Sequence, residues 1–306
     1  MGTTARTFIA LALALAVALL PSGAGAAEAA KRIRLLIIDG VSNHDWPRRL
    51  AMVRDILARD GAFEVDVSIT PPDARDADAW ARWRPDFARY DVVLSAYNDL
   101  GGKPRWPAEV QRDFEAFVRG GGGFYAYHEA NNAFAHWPQY NEMIGLAWRD
   151  KGFGPALLVR DDETLQVVPA GEGDDTWHGD RTDALVHQRG EHPIHAGLPR
   201  TWRAADVEVY RYARGPARNV DVIAYAHDGV DGRQFPVEWT VRYGAGRVFV
   251  STYGHVWFGE GVPPSMRCAA FQTLMPRALK WLARREPDTA VPADFPGPDV
   301  VSLRQP

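Results

Sequence analysis

The chain has 306 residues, of which 46% are hydrophobic and 24% charged, and its formal net charge is −4 at pH 7. These values are typical of a soluble globular protein, and the mildly acidic balance without a basic run argues against nucleic-acid binding. Because Cys268 is the only cysteine, intramolecular disulfides, zinc ribbons and Cys-X-X-Cys redox chemistry are excluded.

Residues 1–26 have the pattern of a secretory signal peptide. Arg6 provides a positive start, residues 8–20 form an apolar run, and the small residues 24–26 offer a cleavage site. The run is too short for a comfortable membrane-spanning helix, and an uncleaved anchor is the alternative. We expect cleavage near Ala26 or Ala27, a periplasmic or secreted bacterial protein, and no stable membrane anchor after cleavage.

The first half of the mature chain predicts a parallel sheet. Four segments have the apolar or alternating pattern of strands, at residues 33–38, 63–69, 90–96 and 124–127. Apolar residues at helical spacing lie between the first pair, at 50–57, and between the last pair, at 110–118. This β-α-β-(loop or helix)-β-α-β order implies a doubly wound sheet with helices on both faces.

The pattern changes after Pro155. Short strands joined by tight turns are predicted at residues 156–160, 164–168, 207–213, 220–226, 235–242 and 247–253. We expect these strands to pair antiparallel, residues 170–190 to form a loop, and residues 267–285 to form a last helix kinked at Pro276. The predicted organisation is therefore one compact domain over residues 31–285, followed by a Pro-rich tail over residues 286–306.

Candidate site residues follow the parallel strands, because ligands of open α/β sheets bind at the carboxyl ends of the strands. They are His44 and Asp45 after the first strand, Tyr97 and Asn98 after the third, and His128, Glu129 and Asn131 after the fourth. A histidine at such a strand-to-helix turn can act as a general acid or base or as a metal ligand. For His128 the alternative is a hydrogen-bonded structural role.

Other candidates lie in the second half. His255 follows a strand and a possible bend at Gly254, which would turn its side chain to the same sheet edge; a capping role is the alternative. Glu208 and Glu238 alternate with apolar neighbours, and for Glu238 we favour a solvent-facing position. The remaining histidines in polar surroundings are predicted to lie at the surface: His136, His178, His187, His195 and His227.

Tryptophan is unusually frequent, with 11 residues. Four lie within two residues of a histidine: Trp46, Trp137, Trp177 and Trp257. Tryptophan rings stack on the apolar faces of sugars, so Trp137 and Trp257 are candidate substrate-binding residues. The alternative is that several of these rings fill the core.

The order of these motifs resembles the trehalose-utilisation, or ThuA-like, family over about residues 33–282. The resemblance rests on Asn43-His44, Gly121-Gly122-Gly123-Phe124 leading to His128-Glu129-Ala130, Trp137 to Gly145, His192-Pro193-Ile194, Gly197-Leu198-Pro199, Glu208, Tyr210, Pro236 to Trp239, Tyr243 to Phe249, and Gly254-His255. It implies a flavodoxin-like, class I glutamine amidotransferase-like fold with a mostly parallel sheet, helices on both faces and antiparallel strands in the second half.

The resemblance also bears on function. Amidotransferases of this fold carry a catalytic cysteine at the strand-to-helix turn, where this chain has His128, so amidotransferase chemistry is not expected. The family is associated with trehalose and related disaccharides, often beside oxidoreductases that make 3-keto sugars. That association suggests a small-molecule carbohydrate as the binding partner.

The leading hypothesis is an exported carbohydrate-processing protein that acts on a disaccharide or 3-keto-glycoside by histidine acid/base chemistry. His128 and His255 are the candidate base and acid, and Glu129 or Glu208 would orient them. A divalent metal held by His44, His128 or Glu208 is an optional cofactor. The alternative hypothesis is a non-catalytic sugar-binding or partner-binding protein.

Overall fold

The computed structural model describes residues 1–2, 31–99, 105–288 and 290–304. The compact unit is Arg32–Pro306, and the predicted signal peptide lies outside the described residues except for Met1 and Gly2. Within the described ranges, every helix is too short or too polar to cross a membrane.

The described residues contain eleven strands and six α-helices. The strands are β1 Ile33–Asp39, β2 Phe63–Ile69, β3 Val92–Ser95, β4 Gly123–Tyr127, β5 Ala156–Val159, β6 Leu165–Val168, β7 Thr182–Gln188, β8 Thr201–Val207, β9 Val220–His227, β10 Gln234–Tyr243 and β11 Gly246–Ser251. The helices are α1 Trp46–Asp60, α2 Ala77–Arg82, α3 Ala108–Arg119, α4 Pro138–Ile144, α5 Pro264–Arg267 and α6 Ala269–Leu282. Short 3-10 helices are Phe87–Arg89, His128–Asn132 and Pro193–His195.

All of these strands belong to one mixed sheet. Its main order is β2-β1-β3-β4-β11-β10-β9-β7-β8, with β5 pairing to β10 and β6 to β5. The strands from β2 to β11 in that order are parallel, and the remaining pairs are antiparallel. The sheet as a whole is therefore mixed and not mostly parallel. The antiparallel pairing expected in the second half is confirmed, and tight turns such as the one joining Tyr243 to Gly246 can connect only antiparallel strands.

The predicted β-α-β alternation of the first half is confirmed. α1 and α6 pack in one hydrophobic cluster through residues such as Val53 and Leu274, whereas α3 packs in the other through Phe114. The two clusters contain alternate residues of the same strands, such as Leu35 and Leu36 of β1. Buried apolar side chains thus cover both faces of the sheet.

Two predictions are wrong because both faces of the sheet are covered by other parts of the chain. Glu238, expected to face solvent from β10, has no exposed surface, and its carboxylate lies 2.7 Å from Nε2 of His195. His195, expected at the surface, is also buried. Alternation along a strand places every second residue in water only when one face of the sheet is bare.

Two segments of the second half differ from their predicted structure. The expected loop at residues 170–190 contains β7, and the strand expected at residues 207–213 ends at Val207 with β8. The backbone beyond Val207 is irregular, and Tyr212 has φ +50°. This departure from strand geometry carries Glu208 and Tyr210 away from the sheet toward the ends of β4 and β11.

Candidate functional site

Three histidines from distant parts of the sequence meet at the carboxyl edge of the parallel strands. His44 follows β1, His128 follows β4 and His255 follows β11. The ring centroids are 5.2 Å apart for His44 and His128, 4.7 Å for His44 and His255, and 5.2 Å for His128 and His255. The expected convergence of these strand ends is confirmed.

Unusual backbone conformations place two of these rings. His128 has φ +33°, a strained value for a residue with a side chain, at the turn from β4 into a 3-10 helix. Gly254 has φ +88°, and a Cβ at this position would collide with the Tyr127 hydroxyl. That hydroxyl donates a 2.7 Å hydrogen bond to the Gly254 carbonyl and so fixes the bend before His255.

Glu208 lies at the centre of the cluster. One carboxylate oxygen, Oε2, is 3.4 Å from Nε2 of His128. The other, Oε1, is 3.4 Å from Nε2 of His255 and 3.4 Å from Nε2 of His178. Of the two carboxylates considered for orienting the histidines, Glu208 is therefore the one in contact with them.

Glu129 has a different environment. It forms an ion pair with the buried Arg49 and accepts a 3.0 Å hydrogen bond from the Ser42 hydroxyl. Arg49 also contacts Asp39 at the end of β1, at 2.5 Å. Glu129 thus ties α1 and β1 to the loop after β4, although it also borders the cavity described below.

Hydrogen bonds to the second ring nitrogen assign the tautomers of three histidines. Nδ1 lies 2.8 Å from the Thr252 carbonyl in His128 and 2.5 Å from the Gly179 carbonyl in His178. In His44, Nδ1 lies 3.0 Å from Oδ1 of Asn43. Because these partners are acceptors, each Nδ1 carries the proton and each Nε2 carries a lone pair.

His255 has the opposite tautomer. Nη1 of Arg181 lies 2.7 Å from Nδ1 of His255, and a guanidinium can only donate. The neutral ring therefore carries its proton on Nε2, which points at Oε1 of Glu208. The cluster presents lone pairs from three imidazoles and an N–H from the fourth.

Burial sets the charge of the cluster. It lowers the pKa of His44 to about 3 and that of His255 to about 4, and it lowers the pKa of His128 well below its ordinary value. It also raises the pKa of Glu208 to about 7. The three buried rings are thus neutral near pH 7.

A cavity of about 210 Å³ opens on one side of the cluster. Its lining is Asn43, His44, Asn98, Glu129, Asn132, Trp148, His178, Glu208, Tyr210, His255 and Trp257. Trp257 is 45% exposed and stacks on His255 with an interplanar angle of 13°. His128 is not part of this lining, and its Nε2 is buried without a hydrogen-bond partner.

Several predicted substrate-binding residues have other contacts. Asp45 caps α1 by accepting a hydrogen bond from the Arg48 amide. Tyr97 is buried against Phe134 in the core. These positions follow strand ends in the sequence, but their side chains do not line the cavity.

Trp137 and Asn131 are also placed outside the cavity. The buried Trp137 indole donates a 2.7 Å hydrogen bond to Glu115 of α3, and the Asn131 amide donates to the Leu146 carbonyl. Asn98 does line the cavity, and its amide donates to Oδ1 of Asn43 at 2.9 Å.

His178 is a residue of the site that the sequence pattern does not indicate. Its polar surroundings predict a surface position, and 31% of its side chain is exposed, yet its ring contacts Glu208 and packs at 5.6 Å against Trp148. Its segment has no periodicity, and the one available signal was the neighbouring Trp177 and Gly179. Tyr210 and Trp148 complete the wall, with ring centroids 5.2 Å apart.

Comparisons with known proteins identify a family and a similar solved structure. The family model for trehalose utilisation, ThuA, matches residues 34–282. A Parabacteroides merdae protein described as ThuA-like is 32% identical, with a TM-score of 0.82, covering 90% of this chain and 98% of that protein.

A second ThuA-like structure, from Bacteroides uniformis, is 17% identical with a TM-score of 0.51, covers 85% of this chain and 96% of its own, and shows the fold alone. No curated protein sequence matches the chain. The family match spans most of the chain, and the P. merdae protein agrees with it in sequence and structure. The chain therefore belongs to the trehalose-utilisation (ThuA) family.

Proposed function

We propose that the chain is an exported enzyme that removes the C1 substituent of a 3-keto-glycoside, of the kind derived from trehalose or a related disaccharide. One observation carries the proposal. A lone pair on His178 and an N–H on His255 flank the same oxygen of Glu208 on the cavity wall. A base and an acid thus stand side by side where a substrate can reach both.

The chemistry needs these two groups. The C3 carbonyl acidifies the hydrogen on C2, so Nε2 of His178 can take that proton while the electrons move onto the C3 oxygen as an enolate. The enolate then collapses to a C1=C2 bond, the C1–O bond breaks, and the Nε2–H of His255 protonates the leaving oxygen. Addition of water, with OH at C1 and H at C2, completes a net hydrolysis.

His178 replaces His128 as the proposed base for a steric reason. A base must come within hydrogen-bond reach of the proton that it removes. Nε2 of His128 is buried, whereas a third of the His178 side chain is exposed at the cavity. Glu208 would orient both proton-transfer residues.

The size of the cavity suits one sugar ring of a disaccharide, with the other ring bound outside it. At about 210 Å³ it is smaller than the ~300–1,000 Å³ of pockets that hold drug-sized ligands. One sugar ring would occupy it, and the leaving sugar would lie on Trp257 at the mouth. This exposed platform also favours the second candidate function, sugar binding without turnover.

Amidotransferase activity has no support in the structure. Cys268 is buried at the start of α6, where its sulfur accepts a hydrogen bond from the Ala205 amide. Burial raises the pKa of its thiol, which opposes formation of the nucleophilic thiolate.

Turnover of 3-keto-trehalose, with trehalose as the matched control, tests the proposal. We expect release of glucose from the keto sugar and none from trehalose, because only the keto sugar has an acidified C2 hydrogen. If the protein consumes neither sugar but binds one by calorimetry, and Trp257→Ala abolishes that binding, the binding function replaces the enzymatic one.

A further inference from the structure

We propose that His44, His128 and Glu208 bind a divalent transition-metal ion whose free coordination positions face the cavity. The ligand atoms would be the two Nε2 atoms and a carboxylate oxygen. The role given to the ion below rests on the proposed function, whereas the binding site rests on the geometry alone.

The first support is the buried lone pair of His128. Only 1% of this residue is exposed, and its Nε2 has no hydrogen-bond partner. Leaving a buried polar atom without a partner is unfavourable, because the atom has lost its water and gained nothing in exchange. A cation between the ring and Glu208 would satisfy this atom, which a substrate carbon cannot reach.

The second support is the contact between the two acceptors. The lone pair on Nε2 of His128 faces Oε2 of Glu208 at 3.4 Å. Two acceptors that are largely shielded from solvent, as in this buried pair, repel unless a proton or a cation lies between them. Two ligand atoms bound to one ion at ~2.0–2.2 Å lie about this far apart.

The third support is the grouping of the histidines. His44, His128 and His255 each offer a ring nitrogen, and these atoms all lie within 4.8 Å of one another. A ring nitrogen of His44 therefore lies within 4.8 Å of one of His128. His255 is excluded as a ligand because Arg181 donates to its Nδ1 and leaves the proton on Nε2.

The outer hydrogen bonds also match a metal site. Histidine ligands usually donate their second N–H to a carbonyl or carboxylate, which fixes the tautomer. His128 donates to the Thr252 carbonyl and His44 to the Asn43 amide oxygen. Two imidazoles and one carboxylate with open positions are the donor set of Zn²⁺ hydrolases and of non-haem Fe²⁺ sites.

The ion would complete the proposed reaction. Elimination from a 3-keto sugar develops negative charge on the C3 oxygen, and neither His178 nor His255 can hold that charge while moving protons. A divalent ion beside the cavity would polarise the carbonyl and stabilise the enolate oxygen. Substrate would then bind with its C3 oxygen toward His44 and its C2 hydrogen toward His178.

Calorimetric titration of the chelator-stripped, full-length protein with Zn²⁺ alone tests the inference. We expect one ion per chain, and at least ~100-fold weaker binding in His44→Ala and in His128→Ala. The exposed His227→Ala is the matched control and should bind within about threefold of the wild type. If an alanine variant unfolds, as judged by circular dichroism, Glu208→Gln replaces it.

No binding by the wild type, or unchanged binding in the ligand variants, would overturn the site. Because the titration contains no sugar, its outcome is independent of the proposed function. A protein that binds Zn²⁺ through these residues but leaves 3-keto-trehalose intact would overturn the enzymatic proposal and keep the metal site.

Discussion

Replacing His128 with asparagine is expected to lower turnover of a 3-keto-glycoside by at least ~100-fold, with little change in melting temperature, because it removes a proposed ligand of the ion that would stabilise the enolate oxygen. Asparagine keeps hydrogen-bonding ability and approximate size, so it can retain the contact with the Thr252 carbonyl. It cannot, however, present a lone pair at the position of Nε2. Steady-state kinetics and thermal unfolding of the same preparation measure both quantities.

The exposed His227 provides the control for that substitution. It ends β9, its Nδ1 lies 2.8 Å from the Gly232 carbonyl, and it does not line the cavity. His227→Asn should keep wild-type turnover. Near wild-type turnover in His128→Asn would instead assign a purely structural role to His128.

The second large effect is expected from Arg49→Leu, which should reduce the free energy of unfolding by about 3–5 kcal/mol. Arg49 is 1% exposed and forms ion pairs with both Asp39 and Glu129. Its loss would leave two buried carboxylates without their cation. Burial already raises the pKa of Asp39 even with Arg49 present, so the remaining charge would be costly.

Chemical denaturation of Arg49→Leu and of its neighbour Arg48→Leu measures this difference. The Arg48 side chain is 45% exposed and forms a surface ion pair with Asp45, so its loss should cost at most about 1 kcal/mol. Equal stabilities of the two variants would show that the network around Arg49 does not hold the site loops.

The sequence predicted the parallel half of the fold well, for a physical reason. Strands buried on both faces need continuous apolar runs, and the helices between them need apolar residues at helical spacing. The convergence of His44, His128 and His255 follows from that topology, because the ends of neighbouring parallel strands share an edge.

The errors concern side chains whose surroundings depend on distant parts of the chain. Tyr97 and Trp137 pack in the core instead of lining the cavity, because aromatic residues beside a strand end serve either purpose. His178 comes from a segment without periodicity, and only the fold brings it to Glu208. The buried pair of His195 and Glu238 required knowledge that both faces of the sheet are covered.

The fate of the C2 hydrogen tests the central claim most directly. When 3-keto-trehalose is converted in D₂O, elimination followed by addition of water should leave solvent deuterium at C2 of the 3-keto sugar product, above an enzyme-free control, as observed by NMR. His178→Ala should abolish this incorporation together with turnover. A product that forms at the wild-type rate but keeps its original hydrogen at C2 would contradict proton removal at this site.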